Sequence, residues 1–255
     1  MSDLDNKTFW ITGASSGIGA ATARLLAAPG RRIALTARRR DALEALAEEL
    51  RKTGATVEVH PADVTDRQAV LSAGEHIAAS LGAVDVLFSG AGDYEPFDAT
   101  KFDSARIEHT MRVNYSGTMH CVQAVLPAMI ARRAGYLVIV SSIVGYRGLP
   151  NSSPYSATKA ALINFFEGLR FDLKRHRIDV SLVNPGFVKT DLTDKNEFPM
   201  PFRITAPEAA QKIVAGMEKR RREIHFPWQF TWTMKLLRVI PFPIYSWLIQ
   251  SKVAK

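Results

Sequence analysis

Cysteine is almost missing from this chain: Cys121 is the only one among 255 residues. A disulfide framework and a thiolate metal cluster both need several, so neither is available and no metal site is expected. Long apolar runs are also missing. The longest, near Val239–Ile249, falls well short of the ~20 residues a helix needs to cross a bilayer. The opening residues, Met1 to Lys7, are polar and contain no signal-peptide core, so the cytosol is the expected compartment. Acidic residues run short at one end. From Met200 onward there are ten Lys/Arg and three Asp/Glu, leaving 23 and 22 for the rest, and most of the net charge of +8 sits in that last fifth. Three of the four tryptophans (Trp228, Trp232, Trp247) share it. What is plentiful is ordinary: 47% apolar and 23% charged residues describe one folded domain with a core of normal size.

Short β-rich runs alternate with longer helical stretches. Runs at 8–12, 32–36, 56–60, 84–88, 136–140, 179–183 and 223–226 read as strands. Helical composition or period occupies 20–28, 40–52, 66–81, 103–133, 154–176 and 206–220. Alternation of this kind predicts an α/β fold, a parallel sheet covered on both faces by helices. The run 136–140 is continuously apolar, as a strand buried on both faces requires. The segment 190–205, with Phe198, Pro199, Pro201 and Phe202, has no clear period and reads as a mobile apolar loop.

Between the first strand and the first helix lies Thr12-Gly-Ala-Ser-Ser-Gly-Ile-Gly19. Gly13, Gly17 and Gly19 permit a tight turn and close backbone approach to a pyrophosphate, with Ser15, Ser16 and Ile18 beside them. The helix that follows offers free N–H groups and the positive end of its dipole. The second strand ends in Thr36-Ala-Arg38-Arg39-Arg40, with no carboxylate before Asp41. An acidic residue there would select NAD, whereas a guanidinium selects a 2′-phosphate by ~1.5–3 kcal/mol, roughly 10- to 150-fold. NADP(H) is therefore the expected cofactor, with Arg38 as first contact and Arg39 as second. Asp63-Val64, after the third strand, is placed to face the adenine, a turn aspartate being the plainer alternative.

Tyr155 and Lys159 stand one helical turn apart on one face. A phenol titrates near pH 10, and bringing it to neutrality requires ~4 kcal/mol. One ammonium ~4 Å away at an effective dielectric near 20 supplies ~4 kcal/mol. Ser142 closes the fifth strand, Asn184-Pro185-Gly186 closes the sixth, and Asn114 interrupts a long helical segment, where a buried amide needs a partner.

With these motifs in this order, the chain resembles the short-chain dehydrogenase/reductase family, in its NADP(H)-preferring branch, from about residue 6 to 226. The resemblance implies a single doubly wound Rossmann-type domain with a seven-stranded sheet, and hydride transfer between a cofactor and a carbonyl/alcohol pair. It implies that Tyr155 protonates the carbonyl oxygen, Lys159 assists it and meets the nicotinamide ribose, Ser142 polarises the carbonyl, and Asn114 holds a water of a proton relay. It further implies that Ala91, Gly92, Pro185, Gly186, Val188 and Thr190 approach the cofactor. Ser89-Gly90 stands where the family has Asn-Asn, which leaves the bracing of the fourth strand open.

Val144, Leu149 and Phe187 are expected to face the substrate, together with the loop around Phe198–Phe202. Their character favours an apolar ketone or aldehyde, acyl- or lipid-like, as substrate of an NADPH-dependent reductase. The alternative is an NADP(H)-binding sensor or scaffold without chemistry. Residues 1–227 are expected to form the catalytic domain and 228–255 a basic, aromatic helical extension packed on it. A homodimer or homotetramer is expected, nucleic acid is not, and the extension is expected to cap the pocket or a sister subunit, or to touch a membrane through residues 228–252.

Overall fold

Phe9 and Ile11 of the first strand face one layer of helices, and Trp10 between them faces the other. That period-two division runs through the sheet: Tyr136 and Val138 join Phe9, while Leu137 and Ile139 join Trp10. The computed structural model describes residues 4–195 and 200–252. Its strands are β1 (Thr8–Thr12), β2 (Arg32–Thr36), β3 (Thr56–Val59), β4 (Val86–Ser89), β5 (Gly135–Val140), β6 (Ile178–Pro185), β7 (Val188–Lys189), β8 (Ile204–Thr205) and β9 (Glu223–Phe226). Seven form one sheet in the order β3-β2-β1-β4-β5-β6-β9, every pair parallel. β7 and β8 pair separately.

The helices are α1 (Gly17–Leu26), α2 (Arg40–Arg51), α3 (Arg67–Ser80), α4 (Ser104–Met111), α5 (Gly117–Arg132), α6 (Ser153–Lys174), α7 (Ala206–Glu218), α8 (Trp228–Val239) and α9 (Phe242–Lys252). Side chains of α1, α2 and α7 fill the core on one face, and those of α3, α5 and α6 the core on the other. α2 shows why: Leu43, Leu46, Ala47 and Leu50 recur at helical spacing and all are buried. α7 begins on a capping box in which the Thr205 hydroxyl accepts from Glu208 N–H and the Glu208 carboxylate accepts from Thr205 N–H. This is the doubly wound α/β arrangement that the sequence predicts.

Three expectations change in detail. The helix predicted over 103–133 is divided: α4 ends at Met111, a single π turn spans Arg112–Ser116, and α5 begins at Gly117. α1 begins at Gly17, ahead of the predicted position, because the glycines that look like a loop form its first turn. The loop predicted over 190–205 contains a 3₁₀ turn (Thr193–Lys195) and β8, while Phe198 and Pro199 lie outside the described residues.

Beyond β9 the chain continues into α8 and α9. Met234 is buried in the second core, with Phe230 and Leu237 packed against it. No helix among the described residues is long and apolar enough to cross a membrane. β1 has β2 on one side and β4 on the other, so successive strands run outward in opposite directions from that pair. The crevice outside the carboxyl ends of such strands is where open α/β sheets take ligands.

Candidate active site

A cavity of about 480 Å³ occupies that crevice and touches the residues that follow β1, β2, β4, β5 and β6. At one end are Gly13 and the segment Ser15–Gly19. Gly13 has φ +70°, and a Cβ there would lie 2.6 Å from the Gly90 carbonyl oxygen, so only glycine brings the two loops this close. The N-cap of α1, Ser16, makes no side-chain capping bond, leaving first-turn N–H groups for a ligand. Arg38 and Arg39 flank this end and are exposed. The Arg39 guanidinium donates to both the carbonyl and the hydroxyl oxygen of Ser15, at 3.3 Å each. Asp63 and Val64 form the opposite wall. Burial works against the Asp63 carboxylate. The Thr65 N–H at 2.8 Å and hydroxyl at 2.9 Å, with Arg38 nearby, nevertheless hold its pKa below the usual range.

The exit of β4 shows how the chain manages without two asparagines. The Ser89 hydroxyl donates to Thr118 Oγ1 at 3.2 Å, and Thr12 Oγ1 accepts from the N–H groups of Gly90 and Ala91 at 3.2 and 3.4 Å. A Cβ on Gly90 would meet the Phe88 ring at 2.8 Å and the Thr12 carbonyl at 3.0 Å, so an asparagine could not enter this arrangement unchanged. Bracing therefore comes from two threonine hydroxyls on neighbouring elements.

At the other end stand Ser142, Tyr155 and Lys159, with Ala91, Gly92, Pro185, Gly186, Val188 and Thr190 along the floor. Ser142 caps the short turn after β5: its hydroxyl accepts from Val144 N–H at 3.3 Å and donates to the Pro185 carbonyl at 3.4 Å. The Lys159 ammonium, only 4% exposed, donates to the Val140 carbonyl at 3.0 Å and sits 5.4 Å from the centre of the Tyr155 ring. Burial pushes the Lys159 pKa down to about 8. Burial also pushes the Tyr155 phenol up to about 12, against the lowering effect of the Ser142 hydroxyl. From spacing alone the Lys159 ammonium is expected to pull the phenol toward neutrality. In the structure burial raises the phenol, and the Ser142 hydroxyl is the group that acts in the opposite direction.

Asn114 lies in the π turn, fully buried behind the cavity wall. Its amide donates to the Asp93 carbonyl at 2.9 Å and to Thr158 Oγ1 at 3.1 Å, and accepts from Asp93 N–H at 2.7 Å. Its own carbonyl accepts from Thr118 Oγ1 at 2.9 Å. Asn114 thus joins the loop after β4 to α6, the helix that carries Tyr155 and Lys159.

Tyr94 was not singled out from the sequence. Its ring stands edge-on to Tyr155, 5.1 Å between centres, and it is buried. Asp93 and His109 also line the cavity. None of the three belongs to a periodic pattern, and only the fold brings them to the site. Val144 and Leu149 line a second cavity of about 680 Å³, between the segment 144–150, the start of α6, and α9. Phe187 stacks on Phe230 of α8, 5.4 Å between ring centres. Val144 and Leu149 thus meet α9, in a cavity that Ser156 and Ala157 beside Tyr155 also line, and Phe187 meets α8.

A parallel sheet with a glycine turn at its switch point, and a buried tyrosine–lysine pair at the cavity's other end, define a nucleotide-binding oxidoreductase fold. The family model for short chain dehydrogenases matches residues 7–200. An uncharacterised oxidoreductase from Myxococcus xanthus (strain DK1622) is 37% identical over 246 residues, 96% of this chain and 97% of that protein. Dehydrogenase/reductase SDR family member 7B from Bos taurus is 34% identical over 236 residues, 86% of this chain and 73% of that protein. A short-chain dehydrogenase/reductase from Burkholderia phymatum, solved in complex with NAD, superposes with a TM-score of 0.84 at 25% identity, covering 92% of this chain and 94% of that one. The chain belongs to the short-chain dehydrogenase/reductase family of oxidoreductases.

Proposed function

We propose that the protein reduces an apolar ketone or aldehyde, acyl- or lipid-like, with NADPH. One observation carries the reading: a single cavity joins the proton donor Tyr155 to a nucleotide end where Arg38 and Arg39 follow β2 and no carboxylate stands before Asp41. The glycine cradle and the open N-terminus of α1 suit a dinucleotide, and the relative from Burkholderia phymatum was solved with NAD. The bound nicotinamide would supply the hydride. The chain's own residues do the rest. Gly13, Ser15–Gly19, Asp63 and Val64 hold the adenosine and pyrophosphate end, and Arg38, then Arg39, takes the 2′-phosphate. Gly92, Val188 and Thr190 position the nicotinamide end. Ser142 donates a hydrogen bond to the substrate oxygen, and Tyr155 hands that oxygen its proton. Lys159 stabilises the phenolate that results, and Asn114 keeps α6 in place.

The test follows NADPH consumption over a chain-length series of aldehydes, ketones and 3-ketoacyl thioesters. Activity is expected to rise with chain length, and Tyr155→Phe is expected to lower it by ~10²–10⁴-fold while leaving NADPH binding intact. Unchanged turnover in the variant would refute the assigned proton donor. Arg38→Ala is expected to weaken NADPH by roughly 10- to 150-fold and NADH hardly at all, measured by cofactor fluorescence titration. Equal losses for both cofactors would reject the phosphate contact.

A further inference from the structure

Twelve large hydrophobic side chains stand exposed among the described residues, and seven of them fall between Trp228 and Trp247. On α8 they are Trp228, Trp232, Leu236 and Val239, whose spacing of four, four and three puts them in one row. The opposite face of α8 buries Thr231 and Met234 against the body. α9 adds Phe242, Ile244 and Trp247 to the exposed set.

The row is fixed rather than loosely attached. The Lys235 ammonium meets the Glu223 carboxylate of β9 at 2.5 Å, and the Arg147 guanidinium donates to the Arg238 carbonyl at 3.2 Å. The Tyr245 hydroxyl of α9 donates to the Gly148 carbonyl. Both helices are thereby held to the catalytic domain with tryptophans turned outward.

Charge chooses the occupant. Residues 224–255 contain no Asp or Glu and four Lys/Arg. A two-fold contact with a second copy would lay these helices against themselves, and neither helix carries a carboxylate to pair with the exposed Arg238. Tryptophan, aliphatic side chains and helices that carry Lys and Arg but no Asp or Glu suit the boundary between acyl chains and anionic headgroups. At 12 and 11 residues, α8 and α9 are far too short to span and the right kind of element to lie flat.

We infer that α8 and α9 form a docking face for the surface of an anionic phospholipid bilayer, with Trp228, Trp232 and Trp247 at the headgroup–acyl boundary. α9 also walls the second cavity together with Val144 and Leu149, so the docked face adjoins the segment that follows Ser142.

The experiment is co-sedimentation of the full chain with vesicles of phosphatidylcholine alone and vesicles that also contain phosphatidylglycerol. Binding to the anionic vesicles is expected to exceed binding to the neutral ones by at least roughly tenfold, with a blue shift of tryptophan emission. Trp228→Ala/Trp247→Ala is expected to lower binding by roughly tenfold and to remove most of the shift, with the melting temperature unchanged. Arg238→Glu/Lys252→Glu, which leaves the aromatic row intact, is expected to lower anionic binding alone. No preference for anionic vesicles, or undiminished binding by both variants, would overturn the inference. So would a change in the sedimentation coefficient of the lipid-free protein on replacing the two tryptophans, which would identify a second copy as the occupant.

Discussion

Lys159 is the most expensive residue of the site to keep. Burial lowers its pKa from 10.5 to about 8, so the folded protein binds fewer protons here than the unfolded chain between those two values. Stability therefore falls as pH drops through that window, by about 3 kcal/mol, and stays at the lower level below it. Lys159→Met is expected to raise the melting temperature of the free protein at pH 7 and to flatten its dependence between pH 8 and 10.5, while turnover collapses. Thermal melts across that range measure it, and a variant less stable than the parent at pH 7 would contradict the account. Tyr155 and Lys159 were legible in the sequence because one helical turn separates them. Their pKa values were not, because desolvation depends on what packs around α6. Tyr94, which supplies part of that packing, carries no sequence signal of its role.

At the scale of elements, the π turn at Arg112–Ser116 is the departure that bears most on chemistry. A regular helix was expected there, and hydrophobic period cannot reveal one extra residue in a turn. The extra residue aims the Asn114 amide at Asp93 and Thr158, and Thr118 binds the Asn114 carbonyl while accepting from Ser89. Thr118→Val keeps the shape and removes both bonds. It is expected to destabilise the protein by ~1–2 kcal/mol in urea unfolding and to lower kcat more than it raises KM. An unchanged midpoint would show that the π turn holds itself. The seven strands of the main sheet and the helices α2, α3, α6 and α7 were readable to within a few residues, since alternation and leucine spacing report burial directly. α1 was placed too late because Gly17 and Gly19 serve two ends: poor helix formers by propensity, they are required where the helix start lies against β1 and β4.

For the whole molecule, α6 also exposes two aromatic rings, those of Phe165 and Phe171. We expect a homodimer to form through it, and Phe171→Arg to yield monomers in sedimentation velocity with an unchanged melting transition at high dilution. A wild-type monomer would dismiss this interface. The amino-acid sequence by itself determined the α/β alternation, the glycine turn, the arginines after the second strand and the tyrosine–lysine pair, because each rests on local spacing or on a residue type that its chemistry demands. Tertiary structure alone decided that burial raises the Tyr155 phenol, that threonine hydroxyls replace the missing asparagines after β4, and that Val144 and Leu149 meet α9 and Phe187 meets α8. Those outcomes depend on desolvation and contact between segments far apart in the chain, which no local pattern encodes.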